Sequence, residues 1–445
     1  MARRAWWLPL LSLALILLAV LAWIPSALEL RQPAEDQVWQ AMGLEASCRP
    51  GAFQLGWIGD GVGSGGGTLF VGSQVASQLG WLACRMAAVT ALNGLQSELL
   101  LGLILTFSLS ALACRLAGFR ASTSLLAAFL ITTAPCAFSR LTHLSLVSLW
   151  AVIPGLLACR GLWRAMAAPQ PVWMLPAAGA LAALLCLPAQ EYYVAFTLLL
   201  LGCSYGVLLL LAATRRLQLR SLGRLALRGM AYGGGFLVIL LWLYSPKLQA
   251  VTGGSGPPTA WSTPRLPIEQ FRYGLLPFTW VIPPLWVPAL RQTLEEAGIA
   301  TGRESFFASS GSFLIPIAWV MAFWTLASGR PPEASPAAPT PTSAASPPST
   351  PSPPPAPLVR AALWPAAGLQ RSDLRFYALL LLLTSVVGLL GMTMGGLGTL
   401  FAVLVSPVLR SLNRFTAFTY GASVLMVVAV LDRWLTSRPA RRRSR

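Results

Sequence analysis

Charge is scarce in this sequence. Only 10% of its 445 residues are charged, against about 25% in soluble globular domains. Lysine occurs once, as Lys247, and histidine once, as His143. With 56% hydrophobic residues, this shortage excludes a soluble enzyme and a disordered tail protein. The single lysine against 31 arginines reads as the codon bias of a GC-rich bacterial genome and implies no mechanism. Metal-binding spacings are absent too. There is no Cys-x-x-Cys and no Cys/His cluster, which argues against a metal site. The seven cysteines do not make a secreted disulfide scaffold. Cys114, Cys136, Cys159, Cys186 and Cys203 sit in or at the ends of apolar runs, where cysteine packs as a small hydrophobe. Cys48 and Cys84 lie between the first two apolar runs and are compatible with a disulfide.

What the sequence has in abundance is long apolar runs. Runs of 18 or more apolar residues read as membrane-spanning helices. The first, Trp6 to Ile24, follows Arg3 and Arg4. It is longer than the core of a secretory signal, about 7–15 residues, and reads as an uncleaved helix. Further spans are expected near 95–114, 121–138, 144–159, 172–190, 194–213, 229–244, 306–327, 376–393 and 415–432. The fold class expected is therefore an all-α integral membrane protein of about 10 spans, with both termini on one side.

The net charge of +18 follows this topology. The loops around 115–120, 160–164, 214–228 and 328–375, together with both termini, hold 21 arginines and only three acids, Glu333, Asp373 and Asp432. The other side holds 11 basic and 10 acidic residues. Positive residues collect on the cytoplasmic side of membrane proteins, so the first set is expected in the cytoplasm. The charge thus marks orientation, and no nucleic-acid partner is implied. The expected location is the bacterial plasma membrane, with membrane lipids as surroundings.

Three regions do not read as spans. Residues 29–94 form a first external segment with a glycine-rich run, 56–73, that cannot be a regular helix. No Gly-Lys-Ser/Thr follows it, so it is not a phosphate-binding loop. Residues 69–89 then read as an interfacial helix. Residues 245–305 form a second external segment, in which Pro277, Pro283, Pro284 and Pro288 break an apolar run and Trp280 and Trp286 suit the membrane–water interface. Residues 331–358 are a proline-, serine- and alanine-rich linker on the cytoplasmic side. It divides a membrane core, 1–330, from a two-span segment with a basic tail, 359–445.

Ionisable groups are nearly missing from mid-span and gather externally, so chemistry is expected at the outer face. Glu29, Glu35 and Asp36 follow the first span; a carboxylate there could deprotonate an acceptor hydroxyl or hold a divalent cation. Asp60 lies in the glycine-rich run, where an Asx turn also explains it. Arg140 and His143 lie between the third and fourth spans. Arg410 and Arg414 precede the last span on the side where arginine is disfavoured. Four residues apart, they share a helix face suited to a lipid phosphate, or they snorkel to headgroups. Glu191, Tyr192 and Tyr193, at the external end of the fifth span, could add to the same rim.

The segments "ITTAPCAFSRLTHLSLVSLWAVIPGLLACRGLW" (131–163), "LPAQEYYVAFTLLLLG" (187–202) and "SPVLRSLNRFTAFTYGASVLMVVAVL" (406–431), with the long first external loop, resemble the GT-C superfamily of polytopic glycosyltransferases. The first looks like a P-x-x-x-x-R-x-x-H-x-x-L stretch of uncharacterised bacterial members. The resemblance implies transfer of a sugar from a polyprenyl-phosphate donor to an acceptor at the external face. By analogy Glu35 or Asp36 is the acid of the first loop, Arg410 or Arg414 contacts the donor phosphate, and Arg140, His143, Glu191, Tyr192 and Asp60 rim the cavity. Among its departures from the family, Glu35-Asp36 replaces the spaced Asp-x-Asp of some members, and residues 71–77 lack an expected aspartate. Two other functions stay open. A transporter or lipid-linked-sugar flippase needs a polar midplane cavity, which the scarcity of mid-span charge opposes. A non-catalytic membrane assembly protein fits the linker and the missing aspartate.

Overall fold

The computed structural model describes residues 7–32, 74–138, 147–167, 171–186, 191–214, 219–243, 312–328, 371–393, 396–398 and 412–442, with Ser245, Trp280, Gln292, Glu296 and Leu369 as single positions. The regular structure of these residues is helical. We number the helices α1 (Trp7–Glu29), α2 (Gln74–Val89), α3 (Gly94–Leu116), α4 (Ala121–Thr132), α5 (Val152–Ala167), α6 (Leu175–Cys186), α7 (Glu191–Thr214), α8 (Leu219–Leu243), α9 (Leu314–Ala327), α10 (Arg371–Val387) and α11 (Thr416–Arg442). Pro135–Phe138 adds a turn beyond α4, a π turn at Gly388–Met392 extends α10, and a 3-10 turn at Leu412–Phe415 leads into α11.

Seven of the helices are long and apolar enough to cross a membrane. They carry the spans expected near 6–24, 95–114, 121–138, 194–213, 229–244, 376–393 and 415–432. At the other three places the helices are shorter: Val152–Ala167, Val172–Cys186 and Leu314–Ala327. Leu10, Leu13, Leu17 and Leu21 of α1 are all more than half exposed. Such a stripe is unfavourable in water and compatible with a multi-pass protein whose outer surface meets lipid.

Packing is organised around α5 and α11. Helix α5 touches α3, α6, α7, α8 and α11, and α11 touches α4, α5, α9 and α10. Where helices cross most closely, small residues permit it. A side chain at Gly179 of α6 would collide with the Tyr232 carbonyl of α8, and one at Gly235 of α8 would collide with the Pro176 carbonyl of α6. Close backbone approach of this kind replaces the hydrophobic drive that lipid-soluble helices lack.

The bundle has two ends, each fixed by polar contacts. At one end Asn93 caps α3: its Oδ1 accepts from the Gln96 amide at 2.9 Å, and Gln96 Oε1 accepts from the Asn93 amide at 3.0 Å. This capping box also serves α1, because Asn93 Nδ2 donates to the Leu30 carbonyl at 2.8 Å and Gln96 Nε2 to the Ala27 carbonyl at 2.7 Å. The Ala27 carbonyl in the last turn of α1 and the Leu30 carbonyl just past it, which helix geometry leaves open, are thereby satisfied. Trp23 Nε1 donates to the Thr132 carbonyl, bringing the end of α4 to the same level.

At the opposite end α3 stops at Gly118, whose φ of 93° requires a residue without Cβ. The Gly118 amide donates to the Arg115 carbonyl and the Phe119 amide to the Cys114 carbonyl, a Schellman closure. The chain then turns directly into α4. The sequence places residues 160–164 in a loop, and the structure corrects this: Arg160 and Arg164 lie inside α5. The reason is their ion pairing, described next, which lets a helix continue through two arginines.

Candidate functional site

Polar chemistry is concentrated at the two ends of the bundle. The end that gathers 117–120, 160–165, 371–375 and 432–433 holds the network that linear reading misses. Arg160 Nε and Nη2 both donate to Asp373 Oδ1, at 3.1 and 2.8 Å, and Nη1 donates to the Ala117 carbonyl. Arg164 Nη2 reaches the same carboxylate oxygen at 3.4 Å. The guanidinium of Arg160 lies 5.8 Å from the Tyr377 ring centre, within cation–π range. Nearby, Arg228 Nε of α8 donates to the Ala165 carbonyl at 2.7 Å. Asp432, fully buried in α11, accepts through Oδ1 from the Arg120 amide at 2.9 Å and from Thr123 Oγ1 at 2.6 Å. It caps α4 from a helix more than 300 residues away, since Arg120 makes no side-chain cap of its own. Asp373 and Asp432 thus act as buried structural acids, where the sequence suggested loop charges.

The other end carries the groups expected to do chemistry. Arg414 sits in the 3-10 turn Leu412–Phe415 and is 7% exposed. That turn packs against the π turn at Gly388–Met392 and against α7. Aromatic contacts hold it there: Phe196 of α7 meets Phe415 edge-on at 5.3 Å and Phe418 at 6.0 Å, and Phe415 stacks on Phe418 at 5.8 Å. Tyr193, fully buried, is 6.3 Å from Phe418. The first turn of α7, which contains Glu191, Tyr192 and Tyr193, and the turn bearing Arg414 are therefore neighbours.

Trp280, in the segment 245–305, is buried at the same place. Its Nε1 donates to Thr416 Oγ1 at 3.2 Å, its ring lies 6.3 Å from Trp319, and it rests on Gly388, where any Cβ would collide with it. Gly388 begins the π turn, a deformation frequent at functional sites. Trp319 Nε1 in turn donates to Ser385 Oγ at 2.9 Å. Glu98, in the second turn of α3, is half-buried and has neither a hydrogen bond nor an ion pair among the described residues.

Glu35, Asp36, Asp60, Arg140, His143 and Arg410 lie outside the described residues, as do the side chains of Glu191 and Tyr192. The structure therefore brings together Arg414 and the start of α7 and places no other expected site residue. Cys84 is disulfide-bonded, whereas Cys114, Cys136, Cys159, Cys186 and Cys203 are free. No group of three or more His, Cys, Asp or Glu suited to a metal occurs among the described residues.

Comparison with protein-family models, with curated proteins and with solved structures finds no match to this chain.

Proposed function

We propose that this protein is a multi-pass membrane glycosyltransferase that moves a sugar from a polyprenyl-phosphate donor to an acceptor at the external face. The observation that carries the reading is Arg414: a guanidinium drawn into the bundle at one end, beside the first turn of α7 and the anchored Trp280. Arginine suits a phosphate through its fork of donors.

In this reading all ten expected spans cross the membrane. The arginine-rich end, with both termini, faces the cytoplasm, as the positive-inside rule asks. The disulfide at Cys84 supports the same orientation, because disulfides persist in oxidising compartments and Cys84 lies at the end of the bundle that Arg414 occupies. Ten spans include the three shorter helices.

The chemistry follows from the leaving group. The acceptor hydroxyl oxygen attacks the anomeric carbon of the sugar. The bond from that carbon to the phosphate oxygen breaks, and polyprenyl phosphate departs with the electron pair. Arg414, with Arg410, binds the phosphate and stabilises the charge that develops on it. Glu35 or Asp36 takes the proton of the acceptor hydroxyl. Glu191, Tyr192, Arg140, His143 and Asp60 line the cavity in which the sugar sits. The same first-loop acids have the chemistry to hold a divalent cation.

The test is glycan profiling of the source cells. A deletion strain and a strain carrying Asp36→Ala with Arg410→Ala should lose the same sugar, at normal protein levels in the variant. Loss in the deletion alone would mean that the site is wrongly assigned. No loss in either would favour a non-catalytic assembly role.

A further inference from the structure

At the arginine-rich end, a cavity of about 470 Å³ opens between α9, α10 and α11. Its polar wall is Arg375 and Arg433 with Thr325 and Ser328, and its apolar wall includes Val320, Trp324, Val430 and Trp434. Both arginines are partly exposed, and neither guanidinium makes a hydrogen bond or ion pair among the described residues. The acids next to them in sequence are already engaged: Asp373 by Arg160 and Arg164, and Asp432 by Arg120 and Thr123. Neither acid lines the cavity. Two cations from different helices therefore face one space with no anion among the described residues to balance them.

The apolar wall says what kind of anion fits. Val320 is 70% exposed, Trp324 75% and Trp434 48%. Trp324 lies in the last turn of α9, and tryptophan is enriched where helix ends meet lipid headgroups. A soluble phosphate would use the arginines and leave these surfaces bare. A phospholipid uses both, with its phosphate between Arg375 and Arg433 and an acyl chain along Val320 and Trp324. Basic pockets between helices on the cytoplasmic side have this character.

We propose that the cavity between α9, α10 and α11 is a binding site for an anionic bilayer phospholipid of the inner leaflet, held by Arg375 and Arg433. The site is at the opposite end of the bundle from Arg414 and does not depend on the glycosyltransferase reading.

The test is native mass spectrometry of the full chain in detergent, after addition of phosphatidylglycerol or of phosphatidylcholine with the same acyl chains. The wild type should retain phosphatidylglycerol roughly thirtyfold better, a ratio of the size expected for a pair of surface arginines. The variant Arg375→Gln with Arg433→Gln should lose this preference, and millimolar inorganic phosphate should not displace the lipid. Each single variant should lose part of the preference, which gives the same reading if the double variant does not elute as one species. Equal retention of the two lipids by the wild type would overturn the proposal and point to a protein segment covering the groove. Retention unchanged in all three variants would overturn it as well. Displacement by inorganic phosphate would mark a soluble-anion site and contradict the lipid assignment.

Discussion

Arg160 of α5 and Asp373 of α10 are joined by two hydrogen bonds to a single carboxylate oxygen, across 213 residues of chain. Arg160 also reaches the Ala117 carbonyl at the end of α3. One side chain thus ties three helices together, including one that follows the proline-rich linker.

Removing the acid should be severe. Asp373→Ala leaves Arg160 buried and Arg164 half-buried without their shared partner, and losing one member of a buried pair costs about 3–5 kcal/mol. Replacing both by apolar residues, Arg160→Met with Asp373→Leu, should cost less than Asp373→Ala alone. Thermal unfolding in detergent, followed by the loss of monodisperse protein, reads both. If the double variant is the worse of the two, the pair is not acting as a charge lock.

Asp432→Ala should destabilise the start of α4. The substitution removes the acceptor for the Arg120 amide and for Thr123 Oγ1; caps of this kind contribute about 0.5–2 kcal/mol. Asp432→Asn keeps one oxygen and should recover most of the loss. Amide hydrogen exchange at 120–124 is the local readout, and unchanged protection there in Asp432→Ala would refute the assignment.

The contact between α6 and α8 depends on two glycines. Gly235→Leu and Gly179→Leu should each force the helices apart, at about 1–3 kcal/mol or more. Gly233→Ala and Gly234→Ala meet open space and should stay within about 0.5 kcal/mol of the wild type. Equal effects at Gly234 and Gly235 would contradict the packing.

Cys84 should resist a membrane-impermeant maleimide until the protein is reduced, and Cys48 should become reactive in the same step. The five free cysteines should not change on reduction. Labelling of Cys84 in unreduced intact cells would remove the disulfide from the argument for orientation.

Much of the fold can be read from the chain because apolar runs report lipid exposure directly. Leu10, Leu13 and Leu17 announce α1 without any partner. The offset of α5, expected at 144–159 and found at Val152–Ala167, has an equally physical cause. A hydropathy window ends a span at Arg160, and only a carboxylate 213 residues away makes that arginine tolerable inside the bundle. Asp373 and Asp432 carry no local sign of burial for the same reason, since their partners come from other helices. For the candidate site, residue positions along the chain suggested that Arg414 and the start of α7 share a rim, because both precede spans running in the same direction. The anchoring of Trp280 on Gly388 was not legible, as it joins a proline-broken segment to a π turn that no periodicity marks.

The central claim rests on Arg414, and its most direct test is sugar transfer in membranes enriched in this protein. Labelled polyprenyl-phosphate sugars prepared from the source cells serve as donors, and release of polyprenyl phosphate is measured alongside incorporation into the glycan. The account expects the wild type to transfer, Arg414→Gln to fall about a hundredfold, as when a single charge-stabilising donor is lost, and Arg414→Lys to lie between them. Transfer by Arg414→Gln at the wild-type rate, with normal amounts of folded protein, would contradict it.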